Sequence, residues 1–275
     1  MRHTYPLKDL LSFANLARST YYYHLKRLNR PDKYLHEKAE ICNIFRKNRG
    51  CYGYRRVGYA LRNLGYVINH KTVLKLMDSL GLKGKRGKGK YRSYKGEIGR
   101  IAPNVYGRDF SAQKAYEKLT TDVTEFSVCN EKVYLSPIMD LYNSEIICHS
   151  ISRSPNFEQT RDMLTKLRKV LPENARPVLH SDQGWQYQMK EYQSFLRSAG
   201  IDQSMSRKGN CLDNSPMESF FGRLKTEMFY GETFSSADDF ISKLEEYISY
   251  YNNERICLKL KGMSPVQYRT LANGI

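Results

Sequence analysis

The chain has 275 residues, 40% hydrophobic and 27% charged, with a mean hydropathy of −0.64 and a formal net charge of +17. A chain of that length builds a core without disulfide or metal staples, and its composition excludes both a disordered and a membrane-embedded protein. Six scattered cysteines (Cys42, Cys51, Cys129, Cys148, Cys211 and Cys257) form no C-x-x-C pair, which argues against a structural zinc site and for free thiols in a reducing compartment.

Residues 7–28 read as two short helices around a turn, with Leu7, Leu10, Leu11 and Ala14 apolar on the first and Ser19-Thr20 as the N-cap before Tyr21 on the second. This resembles a helix-turn-helix, with Arg18 as a candidate DNA contact. Asp32 caps a helix through Lys47, residues 54–64 form a second stopped by Gly65, and Asn69 caps a third over 70–80 stopped by Gly81. On the third, Val73, Leu74, Met77 and Leu80 make an apolar face and leave Lys71, Thr72, Lys75 and Ser79 outside. A recognition helix needs such a face, with donors for phosphates and base edges free of core packing. Arg55 and Arg56 at the start of the preceding helix are expected to add DNA contacts. Residues 82–100 mix eight Lys and Arg with five Gly and cannot bury a core, so they read as a linker or an arm along a nucleic-acid backbone.

Strand patterns begin near residue 115. Segments 118–128, 132–142 and 145–152 are joined by hairpin connections at 129–131 and 143–144. A helix at 157–170 capped by Asn156, a strand at 177–180, a helix at 188–198 and a strand at 202–206 follow. The order βββαβαβα predicts an α/β sheet in which a meander is followed by parallel strands joined through helices. Helices at 216–229, 237–250 and 265–271 complete the chain. The expected division is a helix-turn-helix-like segment at 1–30, an all-α DNA-binding domain at 31–81, a basic linker at 82–114, a catalytic core at 115–231 and a helical extension at 232–275.

Charge follows the same division. Residues 1–100 carry 24 Lys and Arg against 6 acids, and residues 101–275 carry 21 against 22. The first part is built to meet a polyanion, nucleic acid above all; an anionic membrane surface would want a basic amphipathic helix with a clean apolar face. No apolar run approaches the roughly 18 residues of a membrane span. Lys8 and Asp9 interrupt the N-terminal apolar stretch, so no secretory signal and a cytoplasmic location are expected.

Three acids stand apart by context: Asp122 in Thr-Thr-Asp-Val-Thr-Glu-Phe, Asp182 in His-Ser-Asp-Gln-Gly, and Glu218 in Asp-Asn-Ser-Pro-Met-Glu-Ser-Phe-Phe. A carboxylate inside a buried first strand is costly unless a cation compensates it. The end of a parallel strand is where α/β sheets place their sites. A helical Glu facing both could complete an oxygen-ligand cluster for two Mg²⁺, with Mn²⁺ as a substitute.

Together these motifs, with 35 residues between Asp182 and Glu218, resemble the DDE transposases of bacterial insertion sequences, relatives of retroviral integrases. The likeness is to the subgroup whose catalytic half is encoded by a second reading frame. It extends through Ser-Thr-Tyr-Tyr-Tyr at 19–23, Tyr-Gly-Tyr-Arg-Arg at 52–56, Asn-His-Lys-Thr-Val at 69–73, Tyr-Tyr-Asn-Asn-Glu-Arg at 250–255 and Met-Ser-Pro at 263–265. Leu119 stands where many relatives have Trp, Ser215 where many have Ala, and Cys257 where many have His. The resemblance implies a ribonuclease-H-like core, catalysis by Asp122, Asp182 and Glu218, and a phosphate-holding role for Lys225. It also implies double-stranded DNA partners at terminal inverted repeats and target, a homo-oligomer on DNA, and the upstream-frame product as fusion or partner in a bacterial, nucleoid-associated setting. Two alternatives stay open: a DNA-binding regulator of transposition without catalysis, and a metal-dependent nuclease on the same core.

Overall fold

The computed structural model describes residues 4–28, 31–85, 101–207 and 211–272. A six-stranded sheet organises the C-terminal two-thirds. Its long strand, β3 (Glu131–Asp140), carries β4 (Ile146–Ser152) antiparallel on one edge. On the other edge β1 (Lys118–Thr121) and β2 (Thr124–Val128) lie end to end, both antiparallel to β3. β5 (Val178–Ser181) adds parallel to β1, and β6 (Asp202–Met205) parallel to β5. This is the meander followed by parallel strands that the ribonuclease-H-like order demands.

Eight consecutive residues of β3 are buried, because helices cover both faces of the sheet. One face packs Phe126, Val133, Leu135 and Met139 against α9 (Ser215–Leu224) and α10 (Ala237–Asn253). The opposite face packs Leu119, Ile138, Cys148 and Leu179 against α6 (Phe157–Val170) and α8 (Lys190–Ser198), which are the crossovers to β5 and β6.

The expected continuous strand over 118–128 is broken at Asp122-Val123. Pairing jumps from Thr121 opposite Ile138 to Thr124 opposite Leu135, so Ser136 and Pro137 are skipped. Pro137 has no N–H to give the ladder, and the Val123 amide donates instead to Asp122 Oδ1 at 2.7 Å. Asp122 thus stands just past a strand end rather than inside a strand. The expected helix at 188–198 is divided into α7 (Trp185–Gln188) and α8, and the one at 216–229 is α9 followed by a π-helical turn over Lys225–Phe229 that closes with Tyr230 N–H on the Lys225 carbonyl at 2.7 Å.

The N-terminal part begins with α1 (Leu7–Phe13) and α2 (Arg18–Leu28), of which only Leu11 is buried among the described residues. α2 starts at Arg18, so Ser19 and Thr20 lie in its first turn rather than capping it. A three-helix bundle follows: α3 (Leu35–Lys47), α4 (Tyr54–Asn63) and α5 (His70–Ser79), with Ile41, Val57, Leu61, Val73 and Met77 at its core. Asp32 does not cap α3 directly but accepts the Tyr34 amide at 2.9 Å; Asn69 caps α5 as expected, accepting Lys71 N–H at 2.8 Å. The inner face of α5 uses Leu76 in place of Leu74, which is 40% exposed. The basic residues Arg86, Lys88, Lys90, Arg92, Lys95 and Arg100 lie outside the described residues.

The bundle is docked on the C-terminal segment that closes with α11 (Pro265–Ala272). Ile256 enters its core, Tyr52 Oη accepts the Ile256 amide at 2.8 Å, and Tyr250 Oη donates to Asn48 Oδ1 at 2.8 Å. Gly262 (φ +84°) sits so close that a Cβ there would run into the Tyr59 ring. Among the described residues no helix is long and apolar enough to cross a membrane.

Candidate active site and nucleic-acid interface

β1 and β5 are parallel neighbours with Thr120 opposite His180, so Asp122 and Asp182, each two residues further on, leave the sheet side by side at its C-terminal edge. They line one cleft of about 500 Å³ together with Glu125, Gln159, Gly184 and Trp185. Asp122 is 5% exposed. Burial raises the Asp182 carboxyl above the ordinary carboxylate range, against the pull of the Gly184 amide, which donates to its Oδ1 at 2.8 Å. The backbone returns closely onto Asp182 here: a Cβ at 184 would stand 2.7 Å from the Gln186 side chain and 3.0 Å from Asp182 Oδ1, so those side chains would have to move.

Glu218 lies on the first turns of α9 and is not among the residues lining that cleft. Among the described residues no three His, Cys, Asp or Glu side chains form a group able to hold a metal ion. The structure therefore brings together two of the three expected acids. What fixes α9 against the sheet is Asn214: its Oδ1 accepts the Thr120 hydroxyl and its Nδ2 donates to the Thr121 carbonyl at 3.1 Å. The helix bearing Glu218 is thereby tied to the two residues before Asp122. The adjoining Asp213 is held well below the carboxylate range by Arg207, whose guanidinium bonds it at 2.8 and 2.9 Å, with Arg108 adding a contact at 2.9 Å. So neutralised, Asp213 is a structural anchor.

Lys225, expected near the same site, has its ammonium over the Phe126 ring at 5.2 Å. Burial lowers its pKa, and the fields of Glu125 and Asp122 oppose that shift. His180 is fully buried between Ser204 Oγ (2.8 Å) and Ser206 Oγ (3.1 Å), stacked on Tyr106, and pushed down to about 4 by burial. His149 meets Glu245 at 2.7 Å.

On the bundle, Lys71 and Lys75 are exposed on α5 and Thr72 is half-buried. Arg55 is exposed with its guanidinium over the Tyr54 ring at 5.7 Å, and Tyr54 stacks on His70, so Arg55 and the N-terminal turn of α5 share one end of the bundle. Arg18 is exposed at the start of α2, over the Tyr22 ring at 5.9 Å. Arg56 departs from its expected role. It turns inward over Tyr52 to pair with Glu227 at 3.4 Å.

Glu227, in the π-helical turn, also accepts from Arg255 at 2.6 and 2.8 Å and from Tyr247 at 2.9 Å. Burial would raise its carboxyl, but Arg255, Arg56 and Tyr247 overcome that and hold it below its ordinary value. Sequence reasoning missed this network, the Asn214 clamp and Trp185 at the cleft mouth. Trp185 carried a signal as the chain's single Trp three residues after Asp182, and Asn214, Arg56 and Arg255 lay within quoted motifs whose partners only the fold reveals.

Comparison with known proteins agrees with this geometry. Residues 112–211 and 218–272 match two models described as integrase core domain, and residues 33–90 match an HTH-like domain. The putative transposase InsK for insertion sequence element IS150 of Escherichia coli K12 is 52% identical over 98% of this chain and 95% of its own length. An uncharacterized transposase-like protein of Haemophilus influenzae is 60% identical over 74% of this chain and 94% of its own. The probable transposase for IS1353 of Shigella flexneri is 38% identical over 98% of this chain, which spans 53% of that protein. With a ribonuclease-H-like sheet, a helical bundle matching an HTH-like domain and near full-length similarity to InsK, the chain belongs to the insertion-sequence transposases with an integrase core.

Proposed function

We propose that Asp122, Asp182 and Glu218 are the catalytic carboxylates with which this DDE transposase, a polynucleotidyl transferase, cleaves DNA at insertion-sequence ends and joins the freed 3′-hydroxyl to a second phosphodiester. The observation that carries the reading is the side-by-side exit of Asp122 and Asp182 into one open cleft. Glu218 is the member the cleft leaves outside, and its joining the pair from α9 is part of the proposal.

The donor chemistry fits a hard divalent cation, Mg²⁺ with Mn²⁺ as substitute: carboxylate oxygens from neighbouring strand ends, facing an open cleft. Asp122 and Asp182 would hold it, with Glu218 contributing to a second ion, and it would supply Lewis-acid stabilisation of charge on the scissile phosphate and its flanking oxygens. The chain does the rest. The strand ends fix the two carboxylates, and the rings of Tyr187 and Tyr192, fully buried, exclude water beneath them. Lys225 holds a phosphate oxygen beside Asp122. Residues 31–81 act as the DNA-reading unit, with Lys71, Thr72, Lys75 and Arg55 as contacts and Arg18 on the 1–30 segment. Residues 82–114 are the basic linker, 115–231 the core and 232–275 its extension.

The same reading takes terminal inverted repeats and target DNA as partners, a homo-oligomer that pairs two ends, and action at the nucleoid in the bacterial cytoplasm. It also takes an upstream-frame product as fusion or partner.

The test is strand transfer on labelled oligonucleotides carrying the terminal repeat, with Mg²⁺ or Mn²⁺, with EDTA, and with Asp182→Asn or Glu218→Gln, for the chain alone and fused to the upstream product. Joined products that require metal and both acids are expected. Retained joining in either variant overturns the assignment of that acid; cutting without joining gives a nuclease, and binding without either gives a regulator. Trp185 supplies a second readout: as the chain's one Trp, 40% exposed in the cleft, it reports DNA entering there by a change in intrinsic fluorescence.

A further inference from the structure

A second cleft, of about 320 Å³, opens where the bundle, α9 and the C-terminal segment meet, lined by Arg56, Arg223, Arg255 and Lys259 together with Ser215 and Ser219. No carboxylate lines it among the described residues. Glu227 lies behind it and is shared by two of the cations, Arg255 at 2.6 Å and Arg56 at 3.4 Å. Arg223, half-buried, and Lys259, exposed, have no carboxylate partner among the described residues. Folding has thus gathered four cations around one acid. Like charges crowded in this way work against the compact state, and an anionic ligand relieves them.

Position identifies the anion. Ser215, Ser219 and Arg223 recur at four-residue spacing along one face of α9, whereas Glu218 and Lys225 lie on the adjoining face, roughly 100° around the axis. α9 therefore carries the expected third acid, Glu218, on one face and borders the cationic cleft with the adjoining face. Arg56 brings in the first turn of α4, so the cleft lies on the line from the bundle to the core. Four donors of which three are guanidinium groups, with two hydroxyls beside them, match phosphate oxygens.

We infer that this cleft is a DNA-backbone site, in which Arg223 and Lys259 hold phosphodiesters of the bound element end as it passes from the helix-turn-helix bundle to the catalytic cleft. The inference rests on the transposase reading and adds the path by which the DNA crosses between the two units. Because phosphate contacts carry affinity rather than sequence, the site binds the strand whatever its bases.

The experiment measures binding of a labelled terminal-repeat duplex by fluorescence anisotropy, in EDTA, over a salt series. It compares the wild-type chain with Arg223→Gln, Lys259→Gln, the double variant, and Lys169→Gln as an exposed lysine outside the cleft, each checked by thermal melting. Each cleft variant is expected to flatten the slope of log K against log salt by about 0.9 and the double by about 1.8, with a several-fold loss of affinity at low salt. Lys169→Gln is expected to keep the wild-type slope. A double variant with the wild-type slope overturns the site while DNA binding itself stands, and so does an equal flattening by Lys169→Gln. A wild-type chain that does not bind the duplex overturns the DNA reading and the site with it. Should Arg223→Gln fail to fold, Lys259→Gln, at an exposed position, still decides by the presence or absence of its own change in slope.

Discussion

A carboxylate raised by burial works against the fold that holds it. Asp182→Asn, which keeps an oxygen for the Gly184 amide and removes a carboxyl whose charge its surroundings disfavour, is expected to melt higher than wild type in EDTA at neutral pH. The sign follows from linkage. Below the ordinary carboxylate range folded and unfolded chains are both protonated and the difference is smallest; between the ordinary value and the raised folded value the wild type falls progressively behind, and above it the deficit stays constant. Melts at neutral and acidic pH check this, and equal stability at neutral pH would sink it. The acid pair was legible in the sequence because each sits in a short local motif. Arg56 was misread because its partner lies 171 residues away, and only the folded chain brings Glu227 to it.

Among elements, α9 matters most, because it carries Glu218 and Arg223 and leads into Lys225, while its own position is set from outside by Asn214. Asn214→Ala would leave the buried Thr120 hydroxyl and Thr121 carbonyl without that partner, at a cost of about 1–3 kcal/mol. Strand transfer is expected to fall further than duplex affinity in EDTA, since the clamp positions the helix and touches no DNA; parallel losses in both assays would deny it that role. Helix starts were legible where a side chain caps its own helix, as Asn69 and Asn156 do. The interruption between β1 and β2 was not, because it depends on Pro137 across the ladder and on Asp122 capturing its neighbour's amide. Nor was the π-helical turn after Leu224, which apolar spacing does not distinguish from a continuing α-helix.

At the scale of the whole molecule, the βββαβαβα order and the all-α segment before it were legible from alternating periodicity and caps. The docking of one on the other was not, since it is made by single residues scattered from Asn48 to Gly262. Its centre is Glu227 with Arg255, 2% exposed. Glu227→Gln leaves two guanidinium groups facing a neutral amide and is expected to cost about 3 kcal/mol. Because the folded carboxyl is depressed, this stabilisation is present above the ordinary Glu pKa and is lost as pH falls through the lower folded value. Chemical denaturation at neutral and acidic pH measures both, and a difference that does not shrink on acidification would contradict the assignment.

The seam between bundle and core has a consequence for where the reaction happens along the DNA. On the proposed function, in which residues 31–81 read the DNA and the acids cut it, a reading head bolted to its blade would make the protein a caliper: the interval from the recognised segment to the bond that is cut would be set by the width of the tool and not by letters in the DNA between. Inserting about five base pairs, half a helical turn, between the recognised segment and the terminus should turn the end away from the acids and abolish cutting there. About ten should restore the facing but not the reach, so any cut falls inside the inserted sequence, at the original distance from the segment that is gripped.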